Sequence, residues 1–337
     1  MRGSTNVTFP PYTSTNTIRY SYDGMIWRRF SSDGFDVSGY VNIDSNTNII
    51  QIKISGYDII DETKFYDSNG TFYLRFERAC PILYCLVGGG GGGAGVGMTG
   101  ASYNWTGRGG GGGSGGQVLY NKKKHLIRSK EILRIKIGSG GSGAGINGTP
   151  NAGNPTILSI VNLNTEEEIV ISQALGGPGA SMQGRNESQI WQNGSYQYSD
   201  YSYKGSPSGG IGIIESDTDD FYSKSSPGGT GTTGTNSNSS DDLAGTTWPQ
   251  NNICYGGGGG GGGGSVYAYN PNGNDTDTEY AGMAGGTGGG GGGGKQGTNK
   301  YFGIAGEDNT GGGGGGAGRP NGNGAAGGCG ICLIKFG

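Results

Sequence analysis

The 337-residue chain has a single histidine, His125, so any catalytic triad or imidazole acid–base scheme would have to pass through that residue. It stands in Asn-Lys-Lys-Lys-His-Leu-Ile-Arg, which reads as a polar strand edge or turn. An excess of one charge is also missing. The 23 Lys and Arg against 26 Asp and Glu leave a net charge of -3, without the basic footprint that nucleic-acid binding requires. No apolar run approaches the roughly 18 residues of a membrane span, and the opening Met-Arg-Gly-Ser-Thr leads into no signal-peptide core, so folding in a cytosol without membrane insertion is expected. Five cysteines are an odd number, and cytosolic thiols stay reduced, so no disulfide framework is expected. Helical periodicity is nearly absent.

Glycine is abundant instead: 80 of the 337 residues, against about 7% in ordinary chains. Only six glycines precede Val87; the rest follow it. Residues 1–87 read as a small β-domain. Ile18, Tyr20 and Tyr22 alternate with polar residues before Asp23-Gly24, and Ile50, Ile52 and Ile54 alternate again. Phe72, Leu74 and Phe76 alternate after Asn69-Gly70, a strong hairpin signal. Residues 88–337 repeat another unit, with pure glycine runs at 88–93, 109–113, 256–264, 288–294 and 311–316 separated by polar, tyrosine-bearing loops. The irregular spacing excludes a collagen triple helix.

A lone run cannot order itself. Fixing each residue costs about 1 to 2 kcal/mol, and a hydrogen bond returns a net of about 0.5 to 1.5. Packed runs do better, because backbones without Cβ atoms approach closely and satisfy one another's N–H and C=O groups. The expected conformation is the left-handed three-residue helix of polyproline II type. Short strands anchor it: 82–87 enters the first run, 331–336 leaves the last, Leu133, Ile135 and Ile137 lead into Gly138, and 156–161 with 169–171 reads as a hairpin. The expected fold is all-β, an N-terminal β-domain followed by a bundle of polyglycine helices.

Three markers in order, Val87 followed by six glycines and Ala94, Ile-x-Ile-Gly-x-Gly-Gly at 135–141, and Gly-Gly-x-Gly-x-x-Leu-Ile-Lys-Phe at 327–336, resemble the glycine-rich domains of virion proteins. Such proteins include phage tail-fibre and tail-tip adhesins and structural proteins of large DNA viruses. The resemblance covers roughly residues 80–337 and implies a polyglycine bundle that displays variable loops. It implies a virion location after assembly in the host cytoplasm, with other virion structural proteins as partners and a homo-oligomer as one form of assembly. For the adhesins it implies a host surface glycan or receptor as partner. It implies no catalytic residue.

The remaining motifs point the same way. Matches to glycine-rich nucleotide signatures are trivial here, and Lys295 after 289–294 is followed by Gln296 where a phosphate loop needs Ser or Thr. Cys329-Gly-Ile-Cys332 has zinc or redox spacing, but Cys80, Cys85 and Cys254 supply no matching second pair, so buried thiols are expected. Asp275, Asp277 and Glu279 alternate like calcium ligands without the turn glycine and read as solvated loop acids. No cofactor or metal is expected. The candidate binding residues are Trp191, Tyr196, Tyr198, Tyr201 and Tyr203, large aromatics amid Ser, Gly, Asn and Gln, a composition typical of recognition loops and equally of aromatics that pack over the ends of the glycine helices.

Overall fold

The computed structural model describes residues 71–76, 79–96, 109–145, 148–162, 164–180, 209–210, 212, 215–229, 243–263, 282–294, 302–318 and 322–336, with the backbone of the further strands named below. The fold is all-β, with no α-helix among the described residues. One antiparallel sheet runs β1 (Val7–Thr8), β2 (Thr17–Ser21), β6 (Thr71–Phe76), β11 (Ile132–Lys136), β12 (Thr156–Val161), β13 (Glu168–Ala174), with β3 (Arg28–Arg29) beside β2. The other runs β16 (Ser216–Asp217), β17 (Phe221–Lys224), β9 (Val118–Asn121), β7 (Cys80–Val87), β22 (Ile331–Phe336), β5 (Ile49–Lys53), β4 (Val41–Asp44), with β10 (His125–Ile127) also on β7.

The two sheets share one core. Phe72, Leu74, Phe76, Leu133 and Ile135 from the first meet Ile82, Tyr84, Leu86, Ile334 and Phe336 from the second, and the Phe76 and Phe336 rings lie 6.5 Å apart. On its other face the second sheet buries Val87, Val118, Ile331 and Leu333 under Trp248 and Tyr255, from the hairpin of β18 (Thr246–Trp248) and β19 (Ile253–Tyr255). β22 is therefore buried on both faces, which explains the apolar run over residues 331–334. Strands from both sides of Val87 share both sheets: β5 lies beside β22, and β6 beside β11.

The alternations at 71–76 and 132–136 bury the expected residues, and β12 pairs with β13 as the expected hairpin. β2 and β3 pair across the segment containing Asp23-Gly24. β6 is flanked by β2 and β11, and Asn69-Gly70 lies outside the described residues.

Beyond the strand ends the ladders continue into glycine without a change of register. Val87↔Val118 between β7 and β9 is followed by Gly88 N–H to Gln117 O, Gly91 to Ser114 and Ala94 to Gly111, at 2.8 to 3.0 Å. Only every third residue now addresses that neighbour. Gly89 and Gly92 donate to Asn154 and Asn151; Gly90 and Gly93 donate to Gly328 and Ala325. The carbonyls keep the same period: Gly89 and Gly92 accept from Gly177 and Ala180, Gly90 and Gly93 from Gly141 and Ala144, and Gly91 and Ala94 from Gly314 and Ala317. A three-residue helix bonded to a separate segment on each of these six sides is a hexagonally packed polyproline-II-type lattice, where a strand in a sheet has only two neighbours.

Contact, not backbone dihedral, is what makes glycine obligatory in most of this lattice. Among the described glycines only Gly256, Gly288, Gly289 and Gly311 have positive φ. Elsewhere the conformation is open to any residue, but the space is not. A Cβ on Gly88 or Gly91 would lie 2.0 Å from the carbonyl oxygen of Leu175 or Pro178, and one on Gly89 or Gly92 2.0 Å from that of Ser139 or Ser142. In place of Cβ a hydrogen points at each oxygen, the geometry of Cα–H···O contacts.

Candidate functional site: the loop-bearing end of the lattice

The direction of each run decides where its connections lie. Segment 88–94 runs antiparallel to 111–117, 151–154 and 325–328, and parallel to 141–144, 177–180 and 314–317. One end of the lattice therefore joins the β-sandwich and tight turns. The long connections 97–108, 181–208, 230–242, 264–281 and 295–301 emerge at the other end.

Part of that end is built in register with the lattice. Gly259 N–H to Gly113 O and Gly262 to Gly110 are followed by Ser265↔Gly107, Val266↔Thr106 and Tyr267↔Trp105, pairing β20 (Ser265–Ala268) with β8 (Trp105–Gly107). On its other side, Gly286 N–H to Gly258 O and Met283 to Gly261 are followed by Ser265↔Glu279 and Tyr267↔Asp277, pairing β20 with β21 (Thr276–Glu279). The connection 181–208 carries a separate hairpin, β14 (Ile190–Gln192) with β15 (Ser195–Gln197).

Of the predicted binding residues, Trp191 and Tyr196 become direct register partners on that hairpin, while Tyr198, Tyr201 and Tyr203 lie outside the described residues. A second such pair, Trp105↔Tyr267, was not anticipated. Its signal was present in the short alternations Tyr103-Asn-Trp105 and Val266-Tyr267-Ala268-Tyr269 beside glycine runs. Asp277 and Glu279, expected in a loop, lie on β21, because pairing with β20 takes them into a strand. Asp275 and Lys295 lie outside the described residues.

His125 opens β10 opposite Ile82. β9 and β10 lie successively along β7, interrupted at 122–124, and the Asn121 side chain bridges the gap. Its Oδ1 accepts the Tyr84 N–H at 2.6 Å, and its Nδ2 donates to Lys123 O at 2.8 Å and Ile82 O at 3.3 Å. The lysines displaced by this bulge pair with acids of the neighbouring hairpin, Lys122 with Asp217 and Lys123 with Asp220.

All five cysteines are free thiols, and only Cys254 is not buried. Cys332 faces the inter-sheet core and Cys85 the opposite side of the same sheet. Burial pushes both thiols up, and burial followed by the Asp308 carboxylate pushes Cys329 up to about 12. No group of three or more His, Cys, Asp or Glu able to hold a metal forms among the described residues. Nor is any helix among them long and apolar enough to cross a membrane.

Residues 67–337 match the glycine-rich domain family. The chain belongs to that family. The match begins just before β6, so it takes in sandwich strands as well as lattice. No curated protein matches the chain.

Proposed function

We propose that this glycine-rich domain protein is a non-enzymatic structural component of a virus particle, a capsid, spike or fibre element that displays its loops to other virion proteins. The observation that carries this reading is the one-ended lattice. Its described runs are held by backbone groups bonded to one another, and its long connections leave from one end. Such a body holds loops in place at low conformational cost. The order of the three sequence markers, shared with virion glycine-rich domains, supports the location. Immunogold labelling of purified particles with an antibody to this chain tests it: decoration at a fixed position is expected, and particles free of the chain would overturn it. Purified protein should neither hydrolyse nucleotides nor cleave glycans; turnover abolished by His125→Ala would refute the non-enzymatic reading.

A second reading, an adhesin at a fibre or spike tip, is favoured by one observation. Both Trp–Tyr register pairs, Trp191↔Tyr196 and Trp105↔Tyr267, belong to strands inserted at the loop-bearing end. Tyrosine and tryptophan supply large contacts at low entropic cost. Binding of the purified chain to host cells, competing with the particle, is the expected result for this reading.

A further inference from the structure

Two strands leave an open edge on the same flank of the sandwich. Among the described residues β13 pairs with β12 alone and β10 with β7 alone. β10 follows β9 along one side of β7, and β13 packs over β7 and β9. The Ser172 hydroxyl is hydrogen-bonded to Tyr84, while Gln117 bonds both Leu175 and Gly88, so β13 runs in the same direction as β7. The residues before Ser172 therefore stand level with Cys80–Ile82, the stretch that β10 pairs with.

Natural sheets keep free edges short or charged, because an open edge invites pairing with another chain. The other sheet ends here are short, two residues for β1 and β16 and four for β4. β13 has seven residues without proline, lysine or arginine. Its register shift turns Ile171 onto the core and leaves Ile169 69% and Val170 54% exposed, and Leu126 on β10 is 59% exposed. Charge completes the pattern: Glu166, Glu167 and Glu168 lead into Ile169, Lys122, Lys123 and Lys124 lead into β10, and all six are exposed.

We propose that this flank is the interface of a two-fold dimer, in which β13 of each copy pairs with β10 of the other. β10 is antiparallel to β7 and β13 follows it, so a two-fold axis through the flank makes the two strands parallel. One parallel register then sets Glu166–Glu168 opposite Lys122–Lys124 and Val170 opposite Leu126. Lys122 and Lys123 hold Asp217 and Asp220, and Glu168 holds Arg134. Exposed ion pairs are worth little and exchange readily. A second copy suits the flank better than a free peptide, because both of its edges are already ordered and a peptide would have to be. The patch is complementary to itself, so assembly closes at two.

Sedimentation of the full chain over a range of concentrations tests the interface. A monomer–dimer equilibrium is expected, weakened by high salt and weakened about tenfold or more by Val170→Lys. Glu166→Lys with Glu167→Lys in one variant, and Lys123→Glu with Lys124→Glu in another, should each abolish dimers. Mixed in equal amounts, the two should form a heterodimer, since each then meets opposite charge at both edges. Melting temperatures check that the variants are folded, and Val170→Lys decides the matter if a charge variant is not. A monomer at every concentration, an open series of larger oligomers, or a dimer indifferent to these changes would overturn the proposal.

Discussion

The sandwich and the lattice satisfy the same backbone with opposite materials. In the sandwich a strand bonds to neighbours on at most two sides and its cohesion comes from side chains, Phe76 against Phe336 and Leu333 under Trp248. In the lattice the backbone itself is the core, and segment 88–94 bonds on six sides. Side chains stabilise the first, and at most positions of the second there is no room for one. The two regions should therefore respond differently to a change in side-chain volume.

The largest effect is expected inside the lattice. A Cβ on Gly91 would lie 2.0 Å from Pro178 O, and one on Gly260 2.3 Å from Met283 O. Gly91→Val and Gly260→Val should separate neighbouring runs and lose several hydrogen bonds at about 0.5 to 1.5 kcal/mol each, severe against a typical total of about 5 to 15. Thermal melting and protease resistance measure this; small effects at both sites would mean that the runs do not pack as described. Next comes the sandwich. Leu333→Ala should cost about 2 to 5 kcal/mol, whereas volume-conserving Leu333→Met should cost less than about 1.5. If Leu333→Met proved as damaging as Gly91→Ala, the contrast between the two regions would collapse.

A third test uses alkaline pH. Burial pushes Cys329 and Tyr255 up to about 12 and raises the Cys85 and Cys332 thiols, whereas unfolded thiols and phenols ionise near their ordinary values of 9.0 and 10.0. Raised folded values mean that the unfolded chain loses protons first. Stability is thus fully present below about pH 9 and should fall between about 9 and 12, by roughly 1.4 kcal/mol per pH unit for each such group. Chemical denaturation across that range checks the slope, and Cys329→Ser should make it shallower. In native protein near neutral pH a thiol reagent should modify Cys254 alone. The smallest effect tests the lattice rim: a Cβ on Gly145 meets only Asn323 Oδ1, at 3.8 Å. Gly145→Ala should be neutral, or stabilising by about 0.4 to 1 kcal/mol through the unfolded chain. A loss matching Gly91→Ala would show that backbone dihedral, not contact, demands glycine.

The pure runs and their anchoring strands were legible in the sequence, because glycine excess and period-two alternation are local signals. Mixed segments were less legible: the start of 138–145 was marked by the strand that leads into Gly138, whereas 150–154 was not recognised at all. Their mark is subtler: Ser139 and Ser142 stand three apart on the rim, where Asn154 Nδ2 donates to Ser139 Oγ at 2.6 Å and Asn151 Nδ2 to Ser142 Oγ at 2.8 Å. A search for side chains at a period of three would have found them. Of the loop aromatics, composition singled out Trp191 and Tyr196, yet it could not bring Trp105 next to Tyr267, residues far apart in the chain and joined only by strand pairing.

The sequence alone determined that the protein would be all-β and that its glycine runs could be ordered only together. Both follow from properties of single residues, the alternation of apolar side chains and the missing Cβ. Tertiary structure decided which run lies against which, that sheet register carries through into the lattice, and that the long loops share one end. Those are pairings between distant segments, and a run of identical glycines holds nothing that could specify its own neighbours. The side-chain register of the flanking strands supplies that information, as when Val87↔Val118 aligns every bond from Gly88 to Ala94 with 111–117.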